Sequence, residues 1–209
     1  MKIKRLGLYF SIAVALAFTT KNSATKSTSF LIDPDSSLVL KGTSNVNSFS
    51  CLYNISAFKS PIPVLYHLEG DKMKFKNTLL TLNNSCFDCG GRGINNDFHK
   101  ILKSENYPEI ALSLQEISLN DHKSDARASI SVEITGVVNN YNIPLQIVKG
   151  DEIRVTGDLC ISLDDYNLKA PKKLFGLISI NDTIEISFQL LLRSLREDLP
   201  KQAQAKFKA

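Results

Sequence analysis

Residues 182–193 read Asp-Thr-Ile-Glu-Ile-Ser-Phe-Gln-Leu-Leu-Leu-Arg. An apolar side chain occupies every second position of this stretch: Ile184, Ile186, Phe188, Leu190 and Leu192. Successive side chains of a β-strand point to opposite faces of the sheet, so the stretch has one apolar face and one more polar face. The pattern predicts a half-buried antiparallel strand.

The same alternation recurs along the chain, at residues 108–120, 128–136 and 151–163. Weaker patterns predict further strands at residues 37–43, 48–57, 71–75 and 78–87. Polar pairs such as Asn139-Asn140 are typical of turns and are interpreted as breaks between strands. The total is about eight strands.

One helix is predicted, over residues 95–104. Phe98, Ile101 and Leu102 have the i, i+3, i+4 spacing of an apolar helix face, and an asparagine at position 95 or 96 is the expected N-cap.

Many long strands and little helix indicate an all-β fold, and closing eight strands into an extended antiparallel barrel removes their exposed edges. We expect the apolar faces to line the interior. The opposite arrangement, an outer-membrane barrel with a polar lumen, normally carries girdles of aromatic residues, and this chain has no Trp and only 6 Tyr.

The 209 residues fit one domain with tails, and 43% of them are hydrophobic. The formal net charge of +4 comes from the two termini, because Lys2, Lys4 and Arg5 add +3 and residues 193–209 add another +3. The region between them is therefore slightly acidic. This charge distribution excludes nucleic acid as a partner.

Residues 1–24 have the pattern of a signal peptide, with a basic start, an apolar stretch at 6–18 and small residues after it. The apolar stretch is too short to span a bilayer of roughly 30 Å, although an uncleaved membrane anchor is the alternative. We expect a periplasmic or secreted protein. Residues 25–29 are predicted as a polar leader, 30–193 as the barrel domain, and 194–209 as a basic, disordered tail.

Four cysteines remain for disulfides in an exported chain: Cys51, Cys86, Cys89 and Cys160. From their number alone, all three connectivities are open. A zinc site at Cys86 and Cys89 lacks a second ligand pair, and a redox role lacks the usual helix start because glycines follow Cys89.

No catalytic arrangement is evident in the sequence. The histidines His67, His99 and His122 have no candidate nucleophile beside them, and the glycine-rich residues 90–93 lack the Lys-Ser/Thr ending of a phosphate loop. We therefore predict no catalytic residue, no cofactor and no metal.

Several motifs together resemble the YceI-like family. Residues 30–49 open with Phe-Leu-Ile-Asp-Pro-Asp, and residues 102–110 read Leu-Lys-Ser-Glu-Asn-Tyr-Pro-Glu-Ile after Asp97. Val-Glu-Ile-Thr-Gly at 132–136 pairs with Val-Thr-Gly-Asp-Leu at 155–159, and Phe-Gly-Leu-Ile follows at 175–178. Their order and spacing extend over residues 30–192.

The resemblance implies a lipocalin-like barrel in the bacterial envelope, with an apolar channel for polyisoprenoid chains or fatty-acid derivatives and no known catalytic residues. It also implies a cysteine-bearing branch of the family in which Cys51 and Cys89 are paired. Cys86 and Cys160 are then left as a second possible pair.

The resulting prediction is a carrier for a hydrophobic small molecule. The candidate ligand-binding positions are Phe49, Phe75, Leu112, Leu114, Ile130, Val132, Ile134, Val155, Leu159 and Phe188. Two alternatives stay open: a structural or interaction module with a side-chain-filled barrel, and a redox protein using Cys86 and Cys89. A membrane-surface contact through the basic tail and a homodimer are further possible partnerships.

Overall fold

The computed structural model describes residues 25–119, 124–169, 172–173 and 178–195. The predicted signal peptide, His122 and residues 196–209 of the predicted tail lie outside these ranges. Within the described ranges, no helix combines the length and apolarity needed to cross a membrane.

The described chain forms thirteen strands and one α-helix. The strands are β1 (Lys26–Ile32), β2 (Ser37–Thr43), β3 (Ser48–Tyr53), β4 (Ile62–Glu69), β5 (Lys72–Asn83), β6 (Phe87–Asp88), β7 (Glu109–Leu119), β8 (Asp125–Ile134), β9 (Val137–Lys149), β10 (Ile153–Ser162), β11 (Lys172–Lys173), β12 (Ile178–Ser179) and β13 (Thr183–Ser194). The helix is α1 (Arg92–Ile101), and single 3-10 turns lie at Ile55–Ala57, Asn84–Cys86 and Asp164–Tyr166.

Eight of the strands close into an antiparallel barrel. Their order is β1-β4-β5-β7-β8-β9-β10-β13, and β13 pairs back with β1. Strand β2 pairs with the first half of β13, and β3 and β6 extend the sheet from it. The predicted eight-stranded all-β barrel with one short helix is confirmed.

Three strands of this barrel, β1, β4 and β9, were not predicted from the sequence. Strand β1 begins at Lys26, so the prediction of a polar leader over residues 25–29 is wrong. These polar residues form a strand because they pair with β4, from Lys26 opposite Tyr66 to Phe30 opposite Ile62. Thr28 is buried at 4% exposure, which a count of polar residues does not indicate.

The turn predicted at Asn139-Asn140 is also wrong, because both residues lie inside β9. The chain turns earlier, at Thr135 and Gly136, which have positive φ angles of 50° and 79°. Two consecutive positive φ values are typical of the tight turn that joins twisted antiparallel strands.

Irregularities in β5 and β7 shift which positions face inward. In β5 the register with β7 shifts between Lys74 and Thr78, where Asn77 has a φ of 53°. Phe75 and Thr78 therefore both line the interior although they are three residues apart. The shift explains why β5 was predicted as two strands, at 71–75 and 78–87.

Helix α1 begins at Arg92, three residues before the predicted start. Asn95 does not cap the helix as predicted but lies within it. Its side chain accepts a hydrogen bond from the Cys89 N–H at 2.7 Å and donates one to Asp88 at 3.0 Å. The first turn of α1 is thus tied to the end of β6.

Candidate functional site

The barrel encloses a cavity of about 390 Å³. Inward-facing side chains from all eight barrel strands line it, together with side chains from β2, β3, β6 and α1. The wall is almost wholly apolar. Among the described residues, the only lining side chains with a polar group are Thr28, Tyr66, Thr78 and Lys149.

All ten positions predicted to contact a ligand lie on the wall of this cavity. They are Phe49, Phe75, Leu112, Leu114, Ile130, Val132, Ile134, Val155, Leu159 and Phe188. Adjacent strands bring some of them together, since Leu112 is opposite Val132 and Leu114 is opposite Ile130. Their contact with a ligand remains a prediction.

Gly157 and Gly42 leave room for aromatic rings on the wall, which the sequence analysis missed. Gly157 of β10 is opposite Phe188 of β13, and a Cβ atom at Gly157 would lie 2.8 Å from the Phe188 ring and 2.7 Å from Leu145. Gly42 of β2 is similarly opposite Phe49 of β3 and in contact with its ring. Both rings therefore lie against the backbone of a neighbouring strand and fill less of the interior. A glycine opposite an aromatic residue is the signal that would have indicated this arrangement.

One end of the cavity is covered by α1 and residues 163–168, and we name it the capped end. Phe98 of α1 packs on Phe87 with a ring-centroid distance of 5.1 Å. Leu163 and Leu168 lie over the same end, next to the last residues of β10. All four side chains are buried, so this end of the cavity is well covered.

The opposite end, which we name the far end, is lined by Met73, Ile117, Leu119, Lys149 and Ile153. The strand pairings bring these residues together, because Met73 of β5 is opposite Ile117 of β7 and Lys149 of β9 is opposite Ile153 of β10. Four of these side chains are half-buried and Lys149 is exposed. The far end is therefore the less covered of the two.

A disulfide joins Cys51 of β3 to Cys89, which lies between β6 and α1. This is the pair that the family resemblance implies. The second predicted pair is wrong, because Cys86 and Cys160 are both free. Cys160 is exposed opposite Glu185 of β13, whereas Cys86 lies in the 3-10 turn after β5.

The pairing of Cys89 with Cys51 also bears on the zinc and redox alternatives. Both alternatives required Cys86 and Cys89 to act together. Because Cys51 holds Cys89, the two-cysteine site is not formed.

The described histidines and the acidic pair Asp164-Asp165 do not line the cavity. His67 contacts Glu69 with Nε2 at 3.0 Å from Oε1, and His99 contacts the Ser104 hydroxyl at 3.3 Å. Asp164 and Asp165 are exposed in a 3-10 turn. The structure therefore does not bring these groups to the cavity.

Tyr166, in the 3-10 turn Asp164–Tyr166, is fully buried. Its hydroxyl donates a hydrogen bond to the Val132 carbonyl at 3.3 Å. Burial, followed by its contact with Tyr141, raises the pKa of Tyr166 well above its ordinary value of 10.0. The phenol is held in its neutral form and packs within residues 163–168 without lining the cavity.

A closed antiparallel barrel around an apolar cavity is the architecture of lipocalin-like barrels. Comparison with solved structures specifies the fold further. A polyisoprenoid-binding domain from Saccharophagus degradans, implicated in plant cell wall breakdown, superposes with a TM-score of 0.57 at 14% identity, covering 80% of this chain and 99% of that one. BcnA from Burkholderia cenocepacia superposes with a TM-score of 0.56 at 15% identity, covering 77% of this chain and 98% of that one.

The Campylobacter jejuni YCEI protein gives a TM-score of 0.50 at 15% identity, covering 64% of this chain and 81% of that one. No family model and no curated protein matches the sequence. The chain thus has the YceI-like fold, and the resemblance noted in the sequence is confirmed by structure.

Proposed function

We propose that this protein is an exported carrier that holds a polyisoprenoid or fatty-acyl chain inside the barrel, for transport or storage in the cell envelope. The observation that carries the proposal is the apolar cavity of about 390 Å³. Its size falls within the range of small-molecule sites, about 300 to 1,000 Å³. A hydrocarbon chain matches its lining chemically.

The energy for binding would come from removing methylene groups from water. Each buried methylene contributes about 0.8 kcal/mol, so a ten-carbon segment contributes about 8 kcal/mol. That is the free energy of a micromolar complex before the costs of immobilising the lipid are subtracted. Longer chains are therefore expected to bind more tightly until the cavity is full.

Two further observations support the proposal. The structurally similar domain from Saccharophagus degradans is described as polyisoprenoid-binding. The Cys51–Cys89 disulfide is typical of proteins that function in oxidising compartments, which supports export to the periplasm or beyond.

The alternative of a structural module rests on a barrel filled by its own side chains. The size of the cavity argues against it, and the pairing of Cys89 with Cys51 argues against the redox alternative. A contact of the basic tail with membranes and a homodimer stay predictions.

The proposal is tested by filling the cavity from within. Leu112 and Val155 line it and are half-buried, so Leu112→Phe with Val155→Phe adds volume where space exists. We expect binding of the apolar fluorophore N-phenyl-1-naphthylamine to weaken by at least about tenfold, because tenfold corresponds to about 1.4 kcal/mol and fewer than two buried methylenes.

The matched control introduces the same substitutions on the outer surface. Leu52 and Val148 are 58% and 53% exposed, so Leu52→Phe with Val148→Phe should leave binding unchanged. Urea unfolding verifies that both variants are folded. A folded cavity-filled variant that binds the fluorophore as the wild type does would rule out the interior as the binding site.

A further inference from the structure

Among the described lining residues only Thr28, Tyr66, Thr78 and Lys149 carry a polar group, so a ligand inside the cavity meets an almost wholly apolar wall. The Thr28 hydroxyl lies 3.4 Å from that of Ser194, the Thr78 hydroxyl is enclosed by protein, and Tyr66 is only 1% exposed. A polar group carried into an apolar site without a hydrogen bond loses its hydration without compensation. The polar end of an amphiphilic lipid therefore has to lie at one end of the cavity.

The two ends differ in how well they can accept that polar group. At the capped end Phe98, Leu102, Leu163 and Leu168 are all buried, and the adjoining segment is held by the Cys51–Cys89 disulfide. A head group placed there would have to displace packed apolar side chains. At the far end the lining side chains are half-buried or exposed, so a head group can keep its contact with water.

Lys149 is the one charged side chain on the described wall, and it lies at the far end. It continues the inward-facing series of β9, in which Ile143, Leu145 and Ile147 are buried, but Lys149 itself is exposed. Long lysine side chains can lay their methylenes on apolar surface and hold the ammonium in water. Lys149 makes no ion pair with a described residue, whereas neighbouring Glu152 is paired with Arg193 at 2.9 Å.

We propose that the bound lipid carries an anionic head group, a carboxylate or a phosphate, which pairs with Lys149 at the far end while the chain extends toward Phe98 at the capped end. This inference rests on the proposed function and adds the class and orientation of the ligand. Asp151, exposed on the adjacent turn, is the nearest acidic residue along the chain, and it does not form an ion pair with Lys149.

The charge requirement is tested with lipids that differ only in the head group. Hexadecanoate is compared with hexadecanol, and farnesyl phosphate with farnesol, in displacing N-phenyl-1-naphthylamine from the wild type at low salt. We expect the anionic member of at least one pair to bind about two- to fivefold more tightly, the range of an exposed ion pair. The pair that shows the preference distinguishes an acyl carboxylate from a prenyl phosphate.

Lys149→Gln should abolish this preference, so that the anionic and the neutral member of each pair bind with equal affinity. Lys76→Gln is the matched control, because Lys76 is exposed on β5 and does not line the cavity. It should retain the preference, and 0.5 M salt should reduce the preference in the wild type. An equal preference in Lys149→Gln and the wild type, or none in the wild type, would overturn the inference.

The orientation is tested with photoreactive hexadecanoates that carry a diazirine near the carboxylate or at the chain terminus. The first should label the peptide around Lys149 and Ile153, and the second should label α1. The reverse pattern, or equal labelling of both ends by both probes, would contradict the proposed orientation. If none of these lipids binds, the proposed function fails as well, whereas binding without preference or orientation removes this inference alone.

Discussion

The two ends of the barrel cover its apolar interior to very different degrees. At the capped end, α1 and residues 163–168 bury Phe98, Leu163 and Leu168, and a disulfide fixes the adjoining segment. At the far end, Ile117 and Ile153 are only half-buried, and the strands end without a covering helix among the described residues. The difference indicates that the capped end contributes more to stability, whereas the far end gives a ligand access to the cavity.

Removing the disulfide should have the largest effect on this asymmetry. The bond closes a loop with a sequence separation of 38 residues, for which the chain-entropy model gives about 4 kcal/mol. We expect Cys51→Ala with Cys89→Ala to lower the free energy of unfolding by about that amount in urea titrations. Cys160→Ala is the control, because Cys160 is free and exposed and its loss should change little.

Hydrogen exchange locates the effect of the same variant. The amides of α1 and β3 should lose protection, and those of the β4–β5 hairpin at the far end should keep it. Uniform loss of protection along the chain would show that the disulfide stabilises the whole barrel and not one end of it.

Truncating one lining side chain at each end compares the two regions directly. Phe98 is buried against Phe87, so Phe98→Ala should lower the free energy of unfolding by about 3 kcal/mol. Ile153 is half-buried at the far end, and Ile153→Ala should cost about 1 kcal/mol. Equal losses in urea unfolding would contradict the description of a capped and a far end.

Gly157 lies between the two ends, and Gly157→Ala should lower the free energy of unfolding by about 1–2 kcal/mol. Its Cβ would lie 2.7 Å from Leu145 and 2.8 Å from Phe188, so one of these side chains has to move. We expect Phe188 to move into the lumen and to weaken binding of N-phenyl-1-naphthylamine. Gly93→Ala serves as the control, since a Cβ there meets no atom within 4 Å. A stable Gly157→Ala protein with unchanged binding would show that the interior tolerates the displaced ring.

The smallest expected effect concerns Asp88 at the capped end. Its carboxylate accepts hydrogen bonds from the Asn95 side chain and the Gly90 N–H, and these lower its pKa below the ordinary value of 3.8. A lowered native pKa contributes stability above pH 3.8 that is lost as the pH falls through the native value. Asp88→Asn should therefore unfold at slightly lower urea than the wild type at pH 7.

The difference between Asp88→Asn and the wild type should shrink toward pH 2, where the wild-type carboxyl becomes protonated in both states. Asp125→Asn, on β8 near the far end, provides the comparison, because that carboxylate accepts one long hydrogen bond of 3.5 Å from the Ser124 hydroxyl. A difference for Asp88→Asn that stays constant with pH would show that the charge of Asp88 is not involved.

Strict alternation was sufficient to predict the strands that carry it. Strands β7, β8, β10 and β13 were all predicted within a few residues. In each of them one face is apolar because it lines the cavity, so the period of two is visible in the sequence. The ten predicted lining positions lie on the wall for the same reason.

Strands β1 and β9 escaped prediction because tertiary pairing outweighs their composition. Polar β1 is a strand because it lies between β4 and β13, and β9 contains the Asn139-Asn140 pair that usually signals a turn. Register shifts in β5 and β7 change the inward face in mid-strand, which no fixed period describes. The cavity itself depends on how side chains pack against Gly42 and Gly157, and that is a property of neighbouring strands.

The most direct test of the central claim is native mass spectrometry of the protein purified from expressing cells. We predict that the wild type carries one lipid per chain, that organic extraction removes it, and that the Leu112→Phe, Val155→Phe variant lacks it. A wild-type protein that carries no lipid across varied preparations, or a cavity-filled variant that carries the same lipid in the same amount, would contradict the claim that the barrel interior holds an apolar chain.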